Sequence, residues 1–225
     1  MRPRTASIRI GAALALLLSG ITGAIAQAPL LLGDTPTEAL AQWQRRSFEG
    51  ETRYTAERRD GVQALCSLSR DSASALLREV EIDLRRTPIL NWRWRVDETR
   101  PPRDDPQFET TKAGDDFAAR LYIIVRTGWL PLSVQALNYV WADAAPPGAA
   151  WPNPFAGRRA IMLPLRNRQD RQGAWLTERR DLRADLRQYA GLEAEHVHAV
   201  AIMSDTDNAG GQAQACFSDI HFSAD

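Results

Sequence analysis

The side chains best suited to chemistry lie on segments where apolar and polar residues alternate. Trp92 and Trp94 point to one face of such a segment, and Arg93 and Arg95 point to the other, because successive side chains of a strand alternate. We expect the tryptophans in the core and the arginines on the outer face. An arginine fork there can hold a carboxylate, a phosphate or a sugar hydroxyl. The alternative is that both arginines pair with acidic side chains of a neighbouring strand.

A second alternating segment supplies those acidic side chains. Asp115 and Asp116 precede a run in which Ala118, Arg120 and Tyr122 point to the same side as Asp116. The small residue leaves room, the tyrosine offers a stacking plane and the charges offer hydrogen bonds. Such a face is typical of the concave face of a ligand-binding sandwich. We therefore expect both acids and both charged segments to form one site.

The segment 204–211 carries a second acidic cluster. Asp205 and Asp207 alternate with polar residues, are followed by Asn208, and lead into two glycines. Oxygen ligands on a turning backbone suit calcium. The match to a helix-loop-helix calcium site is incomplete, because Ala209 and Cys216 stand where oxygen ligands are needed. A turn stabilised by Asp and Asn side chains is the alternative.

Two aromatic groups accompany these charges. Asn138, Tyr139 and Trp141 lie on one predicted strand, and Trp151 and Phe155 lie in a long loop. Exposed aromatic rings suit the apolar faces of sugars, whereas buried rings are core. The sequence leaves both alternatives open, and the loop aromatics favour a role in shaping a site.

The three histidines allow a metal hypothesis. His196 and His198 share a face, and His221 lies opposite His198 if the last two strands pair with each other. Three imidazoles placed in this way could bind zinc or copper.

Catalysis has one candidate pair. Asp116 and Asp205 could act as the acid and the base on a glycosidic bond. No nucleophile elbow, phosphate loop, zinc protease motif or dinucleotide fingerprint occurs in the sequence.

The first 26 residues predict export. Arg2, Arg4 and Arg9 precede a short apolar run, and the segment 24–26 has the small-x-small pattern of signal peptidase sites. We expect cleavage near Ala26, a periplasmic or secreted protein, a leader over 27–42 and one domain over 43–225. The apolar run is too short to span a membrane, and no later segment is long enough.

Composition excludes one class of partner. Without the signal the chain has 25 basic and 28 acidic residues, a formal charge of about −3. A nucleic-acid binding protein would carry a clustered basic excess.

Period-two patterning predicts an all-β fold, an antiparallel β-sandwich of jelly-roll, galactose-binding-like form. The predicted strands are 52–58, 62–69, 75–82, 89–96, 117–125, 134–141, 160–165, 196–204 and 213–222. One short helix is predicted over 181–189, capped by Asp181. Cys66 and Cys216 lie on an early and the last strand, which could place them close enough for a disulfide; two buried thiols are the alternative.

Four motifs in this order resemble a family of exported bacterial proteins catalogued as domain of unknown function 3047. They are the segments 92–96, 114–120, 137–141 and 201–208. The resemblance runs from about Trp43 to the C-terminus and implies no activity. The histidines and cysteines lie outside its pattern. The polar residues that match it are Arg93, Arg95, Asp115, Asp116, Arg120, Asn138, Asp205, Asp207 and Asn208.

A fold-level likeness to carbohydrate-binding jelly rolls rests on Ser218, Asp219 and Ile220 in the last strand, and it implies a structural calcium in many such proteins. Fold does not determine function. Three hypotheses follow: binding of a glycan or another small polar ligand, a scaffold that contacts an envelope protein, and a polysaccharide hydrolase or lyase.

Overall fold

The computed structural model of the chain describes residues 40–98, 104–128 and 133–225. The predicted signal sequence, its cleavage site and almost all of the predicted leader lie outside these residues. Within them, twelve strands form two sheets. The strands are β1 (Gln44–Glu49), β2 (Arg53–Arg59), β3 (Val62–Arg70), β4 (Ala73–Asp83), β5 (Ile89–Glu98), β6 (Ala119–Arg126), β7 (Val134–Trp141), β8 (Trp151–Asn153), β9 (Gly157–Arg166), β10 (Leu176–Asp181), β11 (His196–Asp205) and β12 (Gln212–Ser223).

The two sheets pack as the predicted β-sandwich. One has seven strands in the order β1-β4-β11-β6-β7-β9-β8, and the other has five in the order β10-β5-β12-β3-β2. The described pairs are antiparallel except β7 with β9, which is parallel. The prediction of an antiparallel β-sandwich is confirmed, with this one parallel pair among its strands. The long connection through β8 brings the chain back in the same direction, as a parallel pair requires.

Aromatic side chains fill the space between the sheets. Trp92 and Trp94 are fully buried, as their alternation predicts, and their rings lie 5.5 Å apart. Trp92 lies 5.1 Å from Tyr139, and Trp94 lies 5.8 Å from Trp141. Tilted and edge-on aromatic pairs of this kind stabilise by about 1 kcal/mol each beyond their burial. The core therefore joins β5 of one sheet to β7 of the other.

Local signals in the sequence determine two connections. Asp60 and Gly61 both adopt positive φ between β2 and β3, as a tight hairpin turn requires. The carboxylate of Asp181 accepts a hydrogen bond of 3.1 Å from the amide of Ala184, and this cap begins helix α1 (Leu182–Asp185), which continues as a π-helical turn over Leu186–Ala190.

Three strands were not predicted, and each carries partly exposed or charged residues. All six residues of β1 are exposed, and β8 and β10 are short. An exposed edge strand lacks the apolar alternation that identifies a half-buried strand. Sequence reasoning therefore missed both edges of the seven-stranded sheet and one edge, β10, of the five-stranded sheet.

Cys66 on β3 and Cys216 on β12 lie directly opposite each other and form a disulfide, with their Cα atoms 4.0 Å apart. The bond joins the early and the last strand of the five-stranded sheet.

Buried hydroxyl groups connect the sheets below the end of β11. The hydroxyl of Ser204 hydrogen-bonds that of Ser67, and the hydroxyl of Thr206 lies 2.8 Å from that of Ser69. Because Ser204 points between the sheets, Asp205 points to the outer face of the seven-stranded sheet. This alternation places the acidic loop on that face.

In the part of the chain that the structure describes, no helix has the length and apolar character needed to cross a bilayer.

Candidate functional site

A cleft of about 470 Å³ lies on the outer face of the seven-stranded sheet. Its floor comes from β6, β7 and β11, and the ends of β1 and β8 contribute to its rim. The polar residues that line it are Glu49, Asp115, Arg120, Tyr122, Asn138, Asn153, Asp205, Asp207 and Asn208. The structure thus brings together seven of the residues that the sequence singled out.

Arg120 is the centre of one wall. It is 2% exposed, its Nε donates to Asp205 Oδ1 at 2.7 Å, and its Nη2 donates to Asp205 Oδ2. Its Nη1 lies 3.4 Å from Asp115 Oδ1, and the guanidinium stacks 4.7 Å from the ring of Phe117. A buried guanidinium held by two carboxylates and a ring has one orientation. Arg120 therefore stiffens this wall.

Burial and neighbouring charges shift the pKa values of the side chains in this wall. Burial raises the pKa of Asp205 to about 7, with Asp116 and Asp115 adding to the rise and Arg120 opposing it. Burial alone would lower the pKa of Arg120, but Asp205 above all raises it well above its usual value. Burial also raises the pKa of Tyr122 to about 12. Near neutral pH the arginine is charged and the tyrosine hydroxyl is a neutral donor.

Asp116 holds the loop that follows β11. One carboxylate oxygen accepts from the backbone amide and the side-chain amide of Asn208, both at 3.1 Å, and the other accepts from the amide of Ala209 at 2.6 Å. These bonds determine where Asp207 and Asn208 stand at the rim. Asp116 acts as the anchor of the loop.

Asp116, Asp205 and Asp207 each offer an oxygen within 4.8 Å of the others. Oxygen ligands at that spacing suit calcium. Both oxygens of Asp205, however, accept hydrogen bonds from Arg120, so the arginine supplies positive charge where the sequence suggested a calcium ion. A cation at Asp205 and Asp207 has to compete with it.

The same contacts bear on the predicted acid and base. Asp205 is engaged by Arg120, and Asp116 is engaged by the loop amides of Asn208 and Ala209. Oxygens of the two carboxylates lie within 4.8 Å of each other, and each carboxylate already accepts hydrogen bonds from the protein's own groups.

The floor of the cleft offers polar groups with weak partners. Tyr122 Oη donates to the thioether of Met203 at 3.3 Å, and Asn138 Nδ2 donates to that of Met162 at 3.2 Å. Thioether sulfur is a weak acceptor. Asn138 is 1% exposed, and its Oδ1 has no hydrogen-bond partner among the described residues.

Arg93 and Arg95 lie elsewhere, so the prediction that they share a site with Asp115 and Asp116 is wrong. They project from the outer face of the five-stranded sheet. Arg93 pairs with Asp219 at 3.4 Å and lies 5.4 Å from the ring of Trp175. Arg95 pairs with Asp60 and Asp97. Alternation correctly gave their face but could not show which sheet their strand joins.

Tyr139 does not reach the cleft either. It is fully buried between the sheets, and its hydroxyl donates to Asp185 Oδ2 at 2.6 Å. Arg180 holds the same carboxylate through Nε at 2.8 Å. Tyr139 therefore links β7 to the short helix, and its prediction as a ligand-binding residue is wrong.

The histidine hypothesis is also wrong. His196 and His198 lie on β11 of the seven-stranded sheet, with ring centroids 6.3 Å apart, whereas His221 lies on β12 of the other sheet. His221 is opposite Asn91 instead of His198. The last two strands do not pair, so the three imidazoles do not meet.

Two residues that the sequence reasoning missed position the loops. Asn153 donates to Asp115 Oδ2 at 2.9 Å and accepts from the amides of Phe155 and Ala156. Glu109 is fully buried and accepts from the amides of Asp143 and Ala145 at 2.6 and 2.7 Å. The Pro-Asn-Pro run around Asn153 signals a turn, but Glu109 carries no local signal.

Comparison with known proteins gives a family and a set of similar folds. The family model described as "Protein of unknown function (DUF3047)" matches residues 41–221. No curated protein matches the sequence significantly.

Solved structures of similar fold include carbohydrate-binding modules. A family 30 module of a Clostridium thermocellum cellulosomal cellulase has a TM-score of 0.47 at 10% identity, over 82% of this chain and 92% of that one. A family 11 module from the same organism, in complex with a mixed-linked tetrasaccharide, has 0.43 at 9%, over 81% and 88%. A module from a study of the β-sandwich superfamily has 0.44 at 10%, over 87% of this chain, which spans 61% of that one. At these scores the likeness carries no argument about function.

Proposed function

Since the chain belongs to the DUF3047 family, whose description assigns no activity, we propose a function from the chemistry of its own cleft. The cleft binds a glycan or another small polar ligand without chemical turnover. The observation that carries the proposal is Asn138. Its amide oxygen lies buried at the cleft without a hydrogen-bond partner among the described residues. A buried acceptor of this kind costs about 1–3 kcal/mol, which a donating ligand group would recover.

The rim supports a ligand with apolar faces as well as polar groups. Phe48 and Phe155 line the cleft and are 68% and 55% exposed. Exposed apolar surface grouped around a groove marks a binding site, whereas single scattered side chains do not. A sugar ring presents C–H groups on its faces and hydroxyls at its edge, so it can pack on such a ring while it hydrogen-bonds the floor. This combination favours a glycan.

The walls support binding because they are already ordered. Asp115 is held by Arg120 and Asn153, and the loop at the rim is held by Asp116. A site whose side chains are fixed before binding loses less conformational entropy when the ligand arrives. No specific observation favours the hydrolase hypothesis, because its two carboxylates, Asp116 and Asp205, are already hydrogen-bonded within the wall of the cleft.

The experiment is a thermal-unfolding screen of the purified protein against neutral and acidic oligosaccharides, followed by titration calorimetry of those that raise the midpoint. The test variant is Asn138→Leu, which keeps the branched shape and removes both polar atoms. It should weaken binding at least tenfold while its unfolding midpoint stays equal or rises, because a buried amide oxygen without a partner is removed and only a weak bond to a thioether is lost. The control is Arg93→Ala on the other sheet, which should bind as the natural chain does.

Two outcomes contradict this proposal. In one, Asn138→Leu binds a sugar as tightly as the natural chain. In the other, Arg93→Ala loses binding, which would move the site to the five-stranded sheet.

We propose further that the protein acts in the periplasm or outside the cell. The arginine-led apolar run and the small residues before Ala26 support export, and the disulfide between Cys66 and Cys216 is compatible with an oxidising compartment. The mass of the protein recovered from the periplasm should correspond to a chain that begins near residue 27. Recovery of the full-length chain from the cytoplasm alone would overturn this assignment.

A further inference from the structure

The charges that line the cleft are mostly negative. Glu49, Asp115, Asp205 and Asp207 contribute carboxylates, and Arg120 is the one cationic side chain among the lining residues. All three nitrogens of the Arg120 guanidinium are engaged by Asp205 and Asp115. The cleft therefore offers little cationic attraction to an anionic group.

The polar atoms without partners are acceptors as well. Asn138 Oδ1 and Asp207 Oδ1 are both buried, and neither has a hydrogen-bond partner among the described residues. An acceptor is matched by a ligand that donates, such as a hydroxyl group. A carboxylate or phosphate oxygen placed against either atom would bring two acceptors together, and against the Asp207 carboxylate it would add like-charge repulsion.

Asp207 places a further carboxylate at the rim of the cleft. Burial and the charge of Asp116 both raise the pKa of its carboxyl group, which shows that negative charge there is already unfavourable. A second anion close to Asp207 would add to that cost, whereas a hydroxyl group would reduce it.

From these observations we infer that the cleft selects neutral, hydroxyl-rich oligosaccharides and rejects sugars that carry carboxylate, sulfate or phosphate groups. This inference rests on the proposed function, because it specifies the ligand class of the same cleft. The recognition is by accepted hydrogen bonds at Asn138 and Asp207, and the exclusion is by the surrounding carboxylates.

The test uses matched pairs of probes: β-1,4-linked tetramers of glucose and of galactose, each beside the tetramer of the corresponding uronic acid. Titration calorimetry is run on the full exported chain at about 20 mM salt and again at about 0.5 M salt, where charges are screened within a few ångströms. At least one neutral tetramer should bind about tenfold tighter than its uronic acid, equivalent to about 1.4 kcal/mol. The ratio should shrink at high salt.

Asp207→Asn tests the residue that the inference names. It removes one negative charge and keeps an acceptor oxygen, so the neutral-to-acidic affinity ratio should fall. Asp219→Asn is the matched control, since it makes the same change in charge on the five-stranded sheet, where Asp219 pairs with Arg93. The control should leave the ratio unchanged.

The possible outcomes distinguish a failure of this inference from a failure of the proposed function. Uronic acid tetramers that bind as tightly as neutral ones, or tighter, overturn this inference and leave the proposed function standing. An unchanged ratio in Asp207→Asn also overturns it. If no tetramer of either kind binds, this inference fails, whereas the proposed function fails only if the oligosaccharide screen described above also finds no ligand.

Discussion

Arg120 on β6 donates to both carboxylate oxygens of Asp205 on β11, and both residues are at least 98% buried. The pair crosses two adjacent strands of the seven-stranded sheet at the point where the cleft opens. A buried ion pair is expensive to break, because the partner that remains keeps its charge without compensation. Because both residues line the cleft and the pKa of Asp205 is about 7, the geometry of the cleft depends on this ion pair and on pH.

Removal of the guanidinium should destabilise the protein strongly. Arg120→Met keeps the length of the side chain but leaves Asp205 and Asp115 without their cation. We expect a loss of about 3–5 kcal/mol in the free energy of unfolding at pH 8, measured by urea denaturation. Arg85→Met, which removes an exposed arginine paired with Asp83, serves as the control and should change stability far less, because exposed ion pairs contribute little. Equal midpoints for the two variants would show that the buried pair contributes nothing.

Stability should decrease as pH rises through neutrality. The pKa of Asp205 in the folded protein is about 7, above that of an unfolded aspartate, so the folded state binds the proton more tightly. Its stabilising contribution is complete below about pH 4 and is lost as pH rises through 7, with a slope of at most about 1.4 kcal/mol per pH unit. Urea denaturation of the natural chain and of Asp205→Asn from pH 5 to 8 isolates this contribution. Parallel profiles for the two proteins would contradict the assignment.

The buried carboxylate of Glu109 should stabilise the loop that leads to the rim. Glu109→Ala leaves the backbone amides of Asp143, Ala144 and Ala145 without their acceptor. A hydrogen bond to a charged group contributes roughly 1.5–3 kcal/mol and three such bonds are lost, so we expect a total loss of at least about 4 kcal/mol. Hydrogen exchange of these three amides should accelerate more than that of the β6 strand. Unchanged exchange at all three would contradict the role.

Calcium should leave the natural chain unaffected, because Arg120 already engages both oxygens of Asp205. The expected result is the same unfolding midpoint with millimolar calcium and with chelator. Arg120→Met, in which three carboxylate oxygens remain within 4.8 Å of one another, should gain stability on addition of calcium. A calcium-dependent rise in the natural chain, reversed by chelator, would establish a metal site despite the arginine.

The sequence predicted which side chains face inward better than it predicted which residues meet. Alternation correctly placed Trp92 and Trp94 in the core and Arg120 and Tyr122 on an outer face. It could not separate the two sheets, because period two repeats on every strand regardless of the layer to which it belongs. Alternation therefore predicts the outward direction of Arg93 correctly and the sheet to which it belongs incorrectly.

The pairing of distant strands was the other limit. Tight turns such as Asp60-Gly61 reveal which neighbours pair, but the glycine-containing loop after Asp205 crosses from one sheet to the other. The sequence therefore predicts His198 opposite His221, whereas His221 lies opposite Asn91. The role of Glu109 could not be predicted either, because the amides that donate to it lie more than 30 residues away in the sequence.

The most direct test of the account is a crystal structure of the protein with the tightest-binding neutral oligosaccharide. We expect a sugar in the cleft of the seven-stranded sheet, with a hydroxyl group within hydrogen-bond distance of Asn138 Oδ1 and a ring packed on Phe155 or Phe48. A sugar bound instead on the five-stranded sheet, beside Arg93 and Trp175, would contradict it.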